Sequence, residues 1–297
     1  MCMKYICSHY KYTYQVIRQL MPSKFLISLI SLCTLVLVGC GGSSSAPSLA
    51  VSDIAVNQLK YGQLSQFTLT GNFSDNEINV STKNCKGLSL VAGGTTTTKS
   101  VTCTIGAVGT GVVSLEAKLA DGTVLKSVSF DVPNPQVSMQ TSLGAVVLEL
   151  NPTAAPLSTD NFLQYVNSKF YDNTLIHRVV TAGIFVAQGG WLTPTPSVQP
   201  GQKAAIALEV NKGLSNLKGT IAMARSADLN SATSQYFFNL ADNLALDTSN
   251  GGYAVFGKVV SGAEVLDAMA SVKTTTAFGL ADFPASNVIV LSVTQTK

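Results

Sequence analysis

The sequence predicts a mainly β protein in two parts. A small all-β sandwich covers residues 49–132, and a closed barrel with both ends plugged by helices covers 136–297. Three observations carry this. Residues 49–132 alternate apolar and polar side chains with no sustained helical period, as half-buried strands do. Pro133-Asn134-Pro135 then breaks the alternation and marks a boundary. Beyond it, short strand-like runs are interspersed with two helical segments far apart in sequence, which suits a barrel with both ends filled.

Within the first part, Gln66–Thr70, Ser100–Ile105 and Val112–Ala117 read as strands. Ala120-Asp121-Gly122-Thr123 lies between two alternating runs and predicts a hairpin, since Asp-Gly suits the positive φ of a type I′ turn. An immunoglobulin-like sandwich follows. No convergent polar cluster stands out in it, so a spacer or adhesion module is expected rather than a second enzyme. In the second part, Val137–Thr141 and Ala145–Leu150 form a hairpin around Ser142-Leu143-Gly144. A helix over Thr159–Val166 has Ser158 as its N-cap and buries Phe162, Tyr165 and Val166 at i, i+3, i+4. Ser261-Gly262-Ala263-Glu264 reads as a capping box opening a second helix through Ala270. Gly219–Ala224, Tyr236–Leu240, Tyr253–Val259 and Val288–Val293 supply further strands.

The 297 residues are 46% hydrophobic and 12% charged, which places the bulk of the chain in the globular range. The net charge of +3 comes from the beginning: Lys4, Lys11, Arg18 and Lys24 precede Cys40, and from residue 41 onward 15 Lys and Arg face 16 Asp and Glu. No basic footprint for nucleic acid remains.

Lys24 is followed by Phe25–Val38, an apolar run of 14 residues, and then by small residues. This is the pattern of a secretory signal, and it is shorter than the roughly 20 residues a membrane span needs. The ending Leu37-Val38-Gly39-Cys40 resembles a bacterial lipobox, in which the Cys40 thiol is acylated and the bond before it is cut. An ordinary signal peptide with an incidental cysteine is the alternative. Gly41 rather than Asp follows the cysteine, and by the same resemblance this points to the outer membrane, with the protein lipid-anchored on the periplasmic side of a bacterial cell envelope. Residues 1–20 fit no part of such a signal, whereas Met21-Pro22-Ser23-Lys24 makes a normal start. Translation from Met21 is therefore expected, with residues 1–40 as leader and signal and 41–48, rich in Gly and Ser, as a flexible tether.

Of six cysteines, Cys2 and Cys7 then go untranslated, Cys33 leaves with the signal and Cys40 carries lipid. Cys85 and Cys103 remain, and in an exported chain a disulfide is expected. A redox pair or two buried thiols are the alternatives, although a separation of 18 residues is unlike Cys-x-x-Cys.

Chemistry concentrates in Ile176-His177-Arg178 through Gln188-Gly189-Gly190, read with Ser231–Asn239. One arginine and two glutamines sit there among aromatic and aliphatic residues. Neither segment holds a nucleophile with an evident base, a metal cluster or a phosphate loop. His177 is the one histidine after Cys40, so no metal and no cofactor are expected. A fixed cation, amides and an apolar wall suit chemistry in which no covalent bond breaks, such as rotation about a peptide bond. Taken singly, each residue has a plainer reading: Arg178 as a surface ion pair, Phe185 and Phe237 as core, His177 as structural.

Residues 136–296 resemble a bacterial cyclophilin. The matching pieces are Asn161-Phe162-Leu163, Phe170–Thr174, His177-Arg178-Val179, Gln188-Gly189-Gly190, Gly219–Arg225, Ser231–Gln235 and Tyr253–Val259, in family order and at nearly family spacing. The resemblance implies an eight-stranded barrel capped by two helices and a prolyl isomerase acting on proline-containing polypeptides. It implies a proline-binding face lined by Arg178, Phe185, Gln188, Phe237 and Leu246. Val186 and Tyr253 complete the pocket, Ala224 and Arg225 lie beside the residue preceding proline, and Gln235 bonds the substrate backbone. The physics agrees. An Xaa-Pro bond has little trans preference but a rotation barrier of about 18–20 kcal/mol, which is lost amide resonance. At the twisted midpoint the prolyl nitrogen gains a lone pair, and a donor aimed at it binds the transition state better than either ground state. Arg178 is such a donor, with Gln188 holding the substrate carbonyl or orienting the guanidinium. The chain departs from the family in three places. It is two residues longer between Arg178 and Gln188, Val186 stands where Met is usual, and Ala245 stands where an aromatic precedes Leu-Asp, which puts tight cyclosporin binding in question.

Overall fold

A computed structural model describes residues 48–73, 78–106, 112–210 and 212–297. The leader, Met21, Cys40 and the tether up to residue 47 lie outside the described residues.

Seven strands make the first part: β1 (Ala50–Val56), β2 (Leu64–Asn72), β3 (Asn79–Lys83), β4 (Cys85–Leu90), β5 (Thr98–Ile105), β6 (Val112–Lys118) and β7 (Val124–Asp131). They form two sheets, β1-β2-β5-β4 and β3-β6-β7. This is the A-B-E-D and C-F-G strand order of constant-type immunoglobulin domains. Alternation drives it: in β5 every second residue from Lys99 to Ile105 is buried. Phe67 and Leu69 from one sheet pack with Leu115 and Ala117 from the other, and Phe67 meets Phe130 at 5.8 Å. The disulfide Cys85–Cys103 departs from the immunoglobulin pattern, for it joins the neighbours β4 and β5 inside one sheet. Closing that loop restrains the unfolded chain by about 3 kcal/mol.

The β6–β7 hairpin forms, but its turn is not type I′. Gly122 N–H donates to the Leu119 carbonyl, so the turn's central residues are Ala120 and Asp121. Positive φ is confined to Gly122 at the fourth position, as in a type I turn followed by a left-handed residue.

The second part is a closed barrel of eight antiparallel strands. Its strands are β8 (Gln136–Thr141), β9 (Gly144–Leu150), β10 (Thr174–Ala182), β11 (Ile184–Gly189), β12 (Thr220–Met223), β13 (Tyr236–Asn239), β14 (Val255–Ser261) and β17 (Val288–Gln295). They close in the order β10-β11-β13-β12-β14-β9-β8-β17. Helices α1 (Pro156–Asn167) and α2 (Ala263–Ala270) bury Phe162, Tyr165, Val265 and Met269 in the barrel core. Phe162 lies 5.1 Å from Tyr171 and 5.2 Å from Phe256.

Both helix starts differ from expectation. Pro156 takes the first position of α1, where its missing N–H costs nothing, so Ala155 is the N-cap and Ser158 lies inside the first turn. The free amides there are taken by Glu209, which accepts from Leu157 N–H at 2.9 Å, Ser158 N–H at 2.7 Å and the Ser158 hydroxyl at 2.8 Å. In α2 the capping box does not form. Ser261 still pairs in β14, and the N-cap is Gly262 at φ 84°, with no side-chain cap. A side chain at Gly262 would strike the Ala145 carbonyl.

A hairpin outside the barrel sheet, β15 (Thr274–Ala277) with β16 (Leu280–Pro284), was not expected. Phe283 pins it by burying itself with Leu175 and Leu192. Leu49–Lys297 form one compact unit: Tyr61, in the loop between β1 and β2, is buried in the barrel core cluster. Gln295 donates to the Tyr61 carbonyl at 2.9 Å and accepts from Gln63 at 3.1 Å.

Candidate active site

A row of side chains crosses the outer face of the barrel. Arg178 on β10 pairs with Gln188 on β11, Gln188 with Phe237 on β13, Phe237 with Ala222 on β12, and Ala222 with Val255 on β14. Their neighbours Val179, Ala187, Phe238 and Ile221 belong to the barrel core, so alternation turns the row outward. A bulge sets this phase. The β10–β11 register shifts between Ile176 and Arg178, and His177 is the extra residue. Ile176 and Val179 both face the core; the added residue lets Arg178 face out.

Beyond Arg178 and Gln188 the row merges into an apolar floor. Val180, Val186, Ala222, Ala224, Phe237 and Val255 form one buried cluster, with Ile184, Leu214, Leu246 and Tyr253 packed against it. Tyr253 meets Phe237 edge-on at 5.7 Å. A hollow opens at each end of the row: about 340 Å³ beside Leu214, Tyr253 and Val255, and about 500 Å³ beside Arg178. Of the sequence candidates, Arg178, Gln188, Phe237, Val186, Ala224, Gln235, Leu246 and Tyr253 thus gather on one face.

Two candidates sit differently. Phe185 pairs with Thr181 and is out of phase with Val186 and Gln188; its side chain is 38% exposed at the end of β11. Ile184, in phase, packs on the floor instead. Arg225 is committed to backbone carbonyls, donating to Asn250 at 2.6 Å, Gly252 at 2.8 Å and Ser226 at 3.0 Å. Its guanidinium lies 4.6 Å over the Tyr253 ring, so it acts as a clamp on residues 250–252.

Gln188 donates its amide to Gln235 Oε1 at 2.9 Å, and among the described residues no hydrogen bond joins it to the Arg178 guanidinium. Arg178 is half-exposed and has one ionic partner among the described residues, Asp282, with Nε 3.7 Å from Oδ2. His177 is buried, with its ring 5.3 Å from Trp191. Burial, aided by the Arg178 charge, holds its imidazole down at about 4, so it is neutral near pH 7.

A network of amides, missed in the sequence, holds the loop that carries Leu246. Asn243 donates to Asn239 Oδ1 at 2.8 Å and to the Phe185 carbonyl at 2.8 Å, while Asn239 donates to Asn216 at 3.1 Å and Asn216 to Asp247 at 2.7 Å. The signal was the polar run Asp242-Asn243 beside a strand end. Val180, Ile184 and Ala222 were legible by stepping in twos from Arg178, Gln188 and Ala224.

An Arg–Gln row beside an apolar floor, on the outside of a closed barrel, sets a fixed cation and amides next to an apolar surface. Residues 136–295 match the family model for the cyclophilin type peptidyl-prolyl cis-trans isomerase/CLD. The chain is 45% identical over 161 residues to a peptidyl-prolyl cis-trans isomerase of Streptomyces antibioticus, covering 52% of this chain and 95% of that protein. It is 43% identical over 162 residues to one from Acinetobacter baylyi, covering 54% of this chain and 85% of the other. A solved Cryptosporidium parvum cyclophilin in the presence of the dipeptide Ala-Pro aligns at 25% identity and a TM-score of 0.47, covering 55% of this chain and 99% of that one. The chain belongs to the cyclophilin family.

Proposed function

We propose that the barrel catalyses cis-trans rotation of Xaa-Pro bonds, with Arg178 donating to the prolyl nitrogen as it pyramidalises. Family membership supports the activity. The observation that carries the mechanism is the placement of Arg178, with its terminal guanidinium nitrogens unpaired among the described residues, at the head of the row that runs through Gln188 to Phe237. The apolar floor receives the pyrrolidine ring, and the bound substrate, by covering the guanidinium, strengthens the single new hydrogen bond. Gln235, oriented by Gln188, is placed to hold the substrate backbone. The test is the isomerisation rate of an Ala-Pro peptide with residues 41–297 as wild type and as Arg178→Ala. Loss of one preorganised donor lowers kcat/KM about 100-fold. A variant within two-fold of wild type overturns the mechanism.

A second reading, a proline-peptide-binding chaperone or envelope interaction module with weak turnover, draws on Gln188 being engaged by Gln235 and not by the guanidinium. Peptide binding without acceleration in the same assay selects it.

The cellular setting we propose is the bacterial envelope, with the protein anchored to the membrane by lipid on Cys40, on the periplasmic side of the outer membrane, and with exported proteins as clients. The support is Leu37-Val38-Gly39-Cys40 followed by Gly41. Labelled palmitate is expected in the wild-type protein and absent from Cys40→Ala, which moves to the soluble fraction; an unlabelled wild type ends the proposal.

A further inference from the structure

We propose that Asp282 is a positioning residue for Arg178, a role that rests on the reading of Arg178 given above. The carboxylate comes from outside the barrel sheet. Phe283 is buried against Leu175 and Leu192, which pins the β15–β16 hairpin beside β10. Asp282, the adjacent residue, then stands opposite Arg178 with Oδ2 3.7 Å from Nε. Its backbone is left-handed, at φ 58°, a conformation that Asp and Asn tolerate and that most side chains resist. The ladder between the two strands slips just there, between Thr275 and Ala277. The backbone thus adopts an uncommon form at the residue that aims a carboxylate at the guanidinium.

The geometry divides the guanidinium's labour. Asp282 lies on the Nε side, leaving the two terminal nitrogens for the substrate. A flexible arginine otherwise samples many rotamers on a half-open surface. An opposite charge on one edge narrows that range before the substrate arrives and places donors where the lone pair will form. Gln188 does not supply this restraint: its NH2 is bonded to Gln235, and among the described residues its Oε1 accepts nothing from the guanidinium.

Asp282→Asn is the clean test, since asparagine accepts the same left-handed backbone and removes only the charge. In residues 41–297, the variant is expected to lose about three- to five-fold in kcat/KM, the scale of one half-exposed ion pair. The loss falls on kcat with KM unchanged, and the melting temperature is held. In an Arg178→Ala background the same change has no further effect, and in the otherwise wild-type chain the Arg178 Nε–H resonance moves while that of Arg225 stays. Wild-type kcat/KM in the Asp282→Asn variant, beside an impaired Arg178→Ala, overturns the role of Asp282 and leaves the mechanism standing. An equal loss in both backgrounds also overturns it, because the effect would not pass through Arg178. Full activity in Arg178→Ala overturns both.

Discussion

His177 sets the phase of the strand that carries Arg178, and its burial makes it a pH-sensitive support. The folded state holds it near 4, below the ordinary value of about 6.5. Above pH 6.5 both folded and unfolded chains carry it neutral, and its contribution to stability is complete. As pH falls from 6.5 toward 4, the unfolded chain takes up the proton and the folded chain does not, so stability is lost, by on the order of 3 kcal/mol in all. Thermal melts of wild type and His177→Gln between pH 7 and 4 are expected to show a steeper acid decline in the wild type; parallel curves would count against it. At this scale the sequence was informative about identity and less so about engagement. Arg178, Gln188 and Phe237, singled out by motif spacing, lie side by side on paired strands. That Arg225 is spent on carbonyls depends on loop closure that motif spacing does not reveal, whereas Phe185 falls out of phase with Gln188 because the two lie an odd number of residues apart on an unbroken strand.

Elements were legible where periodicity governs them. Every barrel strand named from alternation formed, because a closed barrel buries one face of each strand. Helix ends were not legible, because tertiary partners replaced local caps. Glu209, 51 residues from Ser158, supplies to α1 what Ser158 was expected to supply. Its charge also sits at the positive end of the helix. Glu209→Ala is expected to cost about 1–2 kcal/mol in urea or guanidinium unfolding; a change near zero would mean water serves those amides equally well. The β15–β16 hairpin escaped notice for a related reason. Its Thr-rich first strand shows no apolar face, and one residue, Phe283, does most of its anchoring.

At the level of the whole molecule, the Pro133-Asn134-Pro135 break does separate two sets of sheets with their own cores, yet the sequence held no sign that a sandwich residue is buried in the barrel's core. Tyr61, from the sandwich's first loop, is buried with barrel residues, and Gln295 of the last barrel strand ties its backbone in place. Tyr61→Ala is expected to destabilise the protein by about 3 kcal/mol and to lower barrel and sandwich melting together. A single sandwich transition moving alone would show that the two unfold independently. Such coupling arises from long-range burial, which no local pattern encodes.

Ring closure has one more consequence. A helper that handles unfinished polypeptides is surrounded by loose strands seeking partners. Every strand of the barrel already has two neighbours, so a stray chain finds no exposed ladder to extend there and can be gripped only on the outer face. The sandwich lacks that immunity, since β1 and β4 bound one of its sheets and β3 and β7 the other, and any accidental co-assembly with clients would begin at such rims.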